Sequence, residues 1–198
     1  MTPSHAVPTH DRPSRPRRYD IGPLPGFGNP GAALAAAALD ELRERLYDMI
    51  VDLPQEAMDF CPEGATNTIA MLTVHMAWAE ASWVANITGV PVPDELEPHL
   101  LPGKQGPSGD LSPSSLSAAK GIDLCRRVRD EITLPRLSIL TDMDREIPDR
   151  QRPMTARGVL MHLIWHWTYH SGQVGVLRRL LGSRYKWTFD RRVGAPVK

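Results

Sequence analysis

The chain has 198 residues, 41% of them hydrophobic, and its 23 basic side chains balance 23 acidic ones at a pI near 7.1. That length supports one domain with a sizeable core, and the even charge argues against nucleic acid as a partner. The two cysteines, Cys61 and Cys125, form no C-x-x-C pair, so neither a disulfide framework nor a thiolate zinc site is expected and a reducing cytoplasm is the expected compartment. No run approaches the roughly 20 apolar residues of a membrane span.

Residues 1–28 hold six prolines, several arginines and almost no large aliphatics. Such a stretch buries too little to offset its ordering entropy and is expected to be a disordered tail, with Arg15, Arg17 and Arg18 solvated. Asn29, Pro30 and Gly31 form a helix entry, Asn as N-cap and Pro at the first position. Leu39, Leu42, Leu46, Met49, Ile50 and Leu53 then recur at three- and four-residue steps, which predicts an amphipathic helix ending before Pro54. Its Ala-rich start gives way at once to Asp40 and Glu41, unlike a signal-peptide core.

A second helix is expected from Thr66 or Asn67 to Thr88, stopped by Gly89 and buried along Ile69, Leu72, Met76, Ala79 and Trp83. His75 lies one helical step from Leu72 and Ala79 and so points towards the core, whereas Glu80 is rotated away from it, towards solvent or another helix. Residues 89–112, rich in proline and glycine, read as a long crossover loop. Ser112 and Pro113 repeat the cap-then-proline signal for a third helix through Leu116, Ala119, Leu124, Val128 and Ile132, which Pro135 should break or kink, with a short continuation through Leu137 and Leu140.

Pro148 and Pro153 bracket another loop, and Thr155 caps a fourth helix that reaches Leu181 and stops at Gly182. Tyr185, Trp187 and Phe189 are expected to fold back, and residues 191–198 to fray. Four amphipathic segments without a convincing strand run predict an all-α four-helix bundle over residues 29–190. The long connection between the second and third helices permits an up-down-down-up order.

The chemistry concentrates on the fourth helix. His162, His166 and His170 follow one another at i+4 in MHLIWHWTYHSGQVGVLRRLLG, which lines imidazoles along one face, and His75 supplies a candidate from another helix. Three neutral nitrogen donors with an open coordination position suit zinc, nickel, copper or ferrous iron. The stripe turns about 40° per i+4 step, so His162 and His170 do not both share an ion with His166. Spacing alone does not say which drops out. No H-E-x-x-H protease motif and no paired E-x-x-H of a ferritin-like di-metal site is present.

A histidine in TVHMAWAEASW together with HxxxHxGQ, here His166 to Gln173 in HWTYHSGQ followed by LRRLLG, resembles the DinB-like superfamily of metal-binding four-helix bundles. The resemblance spans residues 29–182. It implies that His75, His166 and His170 hold the metal and that His162 is a neighbour. Gln173 is then either a hydrogen-bond partner of the site or a helix-packing residue. Tyr169, Trp78, Trp83, Trp165 and Trp167 either border the site or belong to the core, and Arg178 and Arg179 either bind a carboxylate or complement the helix dipole.

Characterised members include transferases and isomerases that use mycothiol or bacillithiol. The resemblance therefore implies a divalent-metal-dependent thiol S-transferase or isomerase, with zinc, nickel or iron as cofactor, a low-molecular-weight thiol as cosubstrate, a further small-molecule substrate and a homodimeric assembly. The alternatives are a metal-dependent hydrolase, with His162 as the only candidate proton acceptor, and a nonenzymatic stress protein that binds a metal or small molecule. No residue is assigned a catalytic role.

Overall fold

The caps anticipated from the sequence set three of the long helices. In the computed structural model, which describes residues 12–13, 17–147, 153–183 and 185–186, a two-residue strand β1 (Arg12–Pro13) precedes helix α1 (Pro30–Ile50). Asn29 Oδ1 accepts the backbone N–H groups of Gly31 and Ala32, with Pro30 filling the first helical position. After a single turn, α2 (Gln55–Met58), helix α3 (Ile69–Thr88) starts at Thr68, whose hydroxyl accepts Met71 N–H, and stops at Gly89, φ 72°. The sequence reading places this start two to three residues early.

Residues 89–112 are more ordered than a loop. They contain α4 (Glu97–Leu100) and a 3₁₀ turn (Leu101–Gly103), anchored by the buried Leu96 and Leu100 and packed against α3. The third helix, α5 (Ala118–Arg127), begins five residues beyond the expected Pro113 start, capped by Ser117, which accepts Lys120 N–H. The reason is a tether outside the helix. Ser115 donates to Asp59 at 2.8 Å and accepts from Gln55 at 3.1 Å, which holds the preceding residues against α2. Ala119 is therefore exposed, and Ala118, Ile122 and Cys125 face inward.

Pro135 does not break this element. A π-helical segment, Val128–Thr133, runs from α5 into α6 (Leu134–Ser138). Proline lacks the donor for, and its ring collides with, the carbonyl four residues earlier. The wider π turn just upstream lets the chain pass without that bond. Strands β2 (Glu146–Ile147) and β3 (Met154–Thr155) pair antiparallel and lead into α7 (Ala156–Leu180). Its N-cap Thr155 accepts Gly158 N–H, and Gly182 with φ 83° lies just beyond its end. Strand β4 (Tyr185–Lys186) pairs parallel with β1.

Among the described residues the chain is thus all-α but for three short pairings: β1 with β4, β2 with β3, and the Gln105–Leu111 bridge. Helix α1 packs on α7, and α3 packs on α7, α5 and the π segment. The core between them includes Leu39, Leu46, Ile69, Leu72, Met76, Ile132, Leu163 and Trp167. Trp83 is only half-buried. No described helix is long and apolar enough to cross a membrane.

One expectation needs correction. Residues 17–28 are docked rather than a free tail: Arg17 is 1% exposed, Leu24 and Phe27 pack on the core, and Gly28 N–H donates to Ser138 O at 2.7 Å. A few apolar contacts with backbone hydrogen bonds are enough to order a proline-rich segment whose backbone has little entropy to lose. The rest of the expected N-terminal tail (1–11, 14–16), Trp187, Phe189 and residues 191–198 lie outside the described residues.

Of the two surroundings expected for Glu80, solvent or another helix, the structure has the second. Fully buried on α3, Glu80 accepts from Arg43 of α1 at 2.6 Å and from the Thr133 hydroxyl at 2.5 Å. Arg43 also pairs with Asp40 at 2.6 Å, and Asp40 in turn with Arg129 at 2.7 Å. This chain of charges ties α1, α3 and the π segment together inside the bundle.

Candidate metal centre

Helices α3 and α7 bring His75, His166 and His170 together, their rings tilted or edge-on to one another. The three ring centroids lie 4.4–4.8 Å apart, and one nitrogen from each residue falls within 4.8 Å of the others. His75 is 2% exposed, His170 9%, and His166 is half-buried. No Asp, Glu or Cys among the described residues joins this group.

Hydrogen bonds fix the tautomers. His75 Nδ1 lies 2.8 Å from Gly103 O, and because a carbonyl only accepts, Nδ1 carries the proton and Nε2 is bare. His170 Nδ1 donates to Gln173 Oε1 at 2.7 Å, which leaves its own Nε2 bare. His166 Nε2 stands 3.0 Å from His75 Nε2. If His166 donates across that gap, its Nδ1 becomes a bare acceptor, and that atom is buried with no hydrogen-bond partner. If it does not, two lone pairs face each other. Either arrangement leaves a buried nitrogen unsatisfied in a metal-free protein, and the second is relieved by a cation between the rings.

The electrostatics point the same way. Burial pushes the pKa of all three imidazoles down, opposed at His75 by the Gly103 bond and at His170 by the Gln173 bond. For His166, burial together with His170, His75 and His162 lowers it to about 3. The rings are therefore neutral donors at neutral pH, the state that metal ligation requires. Two nitrogens bound at about 2.0–2.1 Å in a tetrahedral site lie about 3.3 Å apart, close to the His75–His166 separation. The residues fit a divalent ion of the borderline, nitrogen-preferring kind.

His162 stays outside this cluster. Its ring sits edge-on to Trp83 at 5.2 Å and 5.7 Å from that of His166, so the open choice of partner for His166 falls to His170. Gln173 touches the site directly through His170. Trp78 stacks on His75 at 6.2 Å and 20°, and the Tyr169 ring meets His170 edge-on at 5.0 Å, while Trp167 is wholly buried in the core.

Arg178 is not available to a ligand carboxylate. It is buried, pairs with Asp52 at 2.6 Å and donates to Met49 O, which fastens α7 to the end of α1. Arg179 is exposed in the last turn of α7. Cys125 offers no nucleophile, because burial and the nearby Glu80 carboxylate push its thiol up to about 12. Gly103, whose carbonyl meets His75, is the contact of this group that sequence patterning passed over. A backbone carbonyl leaves no side-chain signature, and the only hint was a Pro-Gly pair inside an aperiodic stretch.

The model of the DinB family aligns with residues 34–192, most of the chain. No curated protein matches.

Proposed function

The chain belongs to the DinB family, and from that membership and the three converging imidazoles we propose a divalent-metal-dependent enzyme that transfers or isomerises groups on a low-molecular-weight thiol. The observation that carries the metal is the trio of neutral nitrogens at His75, His166 and His170, two of them tautomerically fixed by Gly103 and Gln173. A bound ion would supply a Lewis acid that favours the thiolate over the thiol. The chain's own contribution is to hold three donors in place, with Trp78 stacked on His75 and no carboxylate among the described residues joining the group.

The thiol class is tested by conjugation. Zinc-, nickel- or iron-loaded protein, a panel of candidate thiols and a chloroaromatic are expected to give a thioether: a C–S bond forms, the C–Cl bond breaks, and chloride and the thiol proton leave to solvent. Absence of metal-dependent product with every thiol tried would end this reading.

We also propose that the protein works as a homodimer through α7. Met161, Trp165, Tyr169, Val176 and Leu180 are exposed within an arc of about 100°, Trp165 and Tyr169 at 68% and 65%. A ridge of aromatic and aliphatic side chains on that scale marks an association surface. Sedimentation should give twice the chain mass, and Trp165→Glu with Tyr169→Glu should give monomers. A wild-type chain that is monomeric at micromolar concentration contradicts the dimer.

A further inference from the structure

We propose that Gly103 is a positioning residue of the three-imidazole centre: the 3₁₀ turn that carries it is pressed onto α3 so that one backbone carbonyl selects the tautomer and aim of His75. The proposal rests on the metal reading above and adds a residue to it. The turn is short and braced. Pro102 lies within it, Lys104 N–H closes it onto Leu101 O at 3.0 Å, and the buried Leu100 anchors its entry.

Space is the requirement at this position. A Cβ on Gly103 would lie 2.5 Å from Val74 O, 2.7 Å from Val74 C and 2.9 Å from His75 Cα. These are backbone atoms in the middle of a helix and cannot swing aside, so any side chain must lift the turn off α3. Gly103 is not among the glycines with positive φ, so conformational freedom is not what glycine provides here.

Lifting the turn removes the 2.8 Å bond to His75 Nδ1. The imidazole then loses the partner that keeps Nδ1 protonated and Nε2 bare towards His166 and His170. Loss of such an orienting hydrogen bond typically weakens metal binding about 10–100-fold. Because its single acceptor is a main-chain carbonyl, the contact is broken only by moving the turn.

Two measurements test this. In the metal-free wild-type chain, nitrogen NMR of His75 should report the Nδ1–H tautomer; an Nε2–H tautomer overturns the proposal. Gly103→Ala should bind cobalt about 10–100-fold more weakly than wild type, while Lys104→Ala, one residue on, keeps wild-type affinity. Unchanged cobalt affinity in a helical Gly103→Ala chain also overturns it, and if that variant does not fold, the wild-type tautomer decides. A wild-type chain that takes up no cobalt refutes the metal reading instead, which separates that failure from failure of the positioning role.

Discussion

Replacing His166 and His170 together by alanine is expected to abolish metal binding: elemental analysis of protein purified without added metal should fall from about one ion per chain to background. The variant keeps only the His75 nitrogen of the group, and no other Asp, Glu, His or Cys among the described residues belongs to it. Alanine is the best helix former, so α7 should persist and far-ultraviolet circular dichroism should stay at its wild-type value. Equal metal content in the two proteins would refute the site.

The same pair gives a pH signature without any metal. In the fold these histidines are held below their ordinary value, His166 at about 3. The unfolded chain takes up their protons near pH 6.5. Their contribution to stability is therefore intact above pH 6.5 and is lost as the pH falls from there through the folded-state values, by up to about 1.4 kcal/mol per pH unit for each neutral imidazole. Urea unfolding of the metal-free wild type should steepen in this way below pH 6.5, and the double variant should show a shallower slope. Parallel slopes would mean that the imidazoles do not stay neutral in the fold.

Glu80→Ala is expected to cost about 3 kcal/mol of stability or more, the lower end of the range for breaking a buried ion pair. Arg43 is 1% exposed, and without Glu80 its guanidinium keeps only the Asp40 contact at 2.6 Å, while the Thr133 hydroxyl loses its acceptor. Removing both charges differs from removing one. Arg43→Met with Glu80→Leu fills the space with apolar volume and should recover most of the loss, because buried pairs are costly to assemble as well as to break. Denaturant titration of the two variants checks this, and a loss below about 1 kcal/mol in Glu80→Ala would show that the pair is not a structural bond.

What the sequence made legible was whatever side chains encode locally. Asn29, Thr155, Gly89 and Gly182 announced helix ends because caps act on their own neighbours. The i+4 row announced a line of imidazoles for the same reason. Choosing between His162 and His170 was not local. It depends on how α3 crosses α7, and only the family resemblance supplied it before the geometry placed His75 against His166 and His170.

Contacts made by the main chain or across long separations stayed hidden. Gly103 acts through a carbonyl on a residue 28 positions from His75. The start of α5 is set by Asp59, 56 residues from Ser115. The docking of residues 17–28 depends partly on Ser138. Composition could describe that last segment but not the surface waiting for it.

The π segment before Pro135 makes this part of the molecule a matter of counting. A π turn accommodates one residue more than an α turn, so Val128–Thr133 takes up an extra residue while the α turns on either side keep their phase. Losing one residue there would let the turn close to an ordinary α turn and leave Leu137 in the core, whereas losing one from the α turns on either side would rotate the side chains beyond it by about 100°. A change of length by one residue is therefore better taken up in this stretch than in the α turns that flank it.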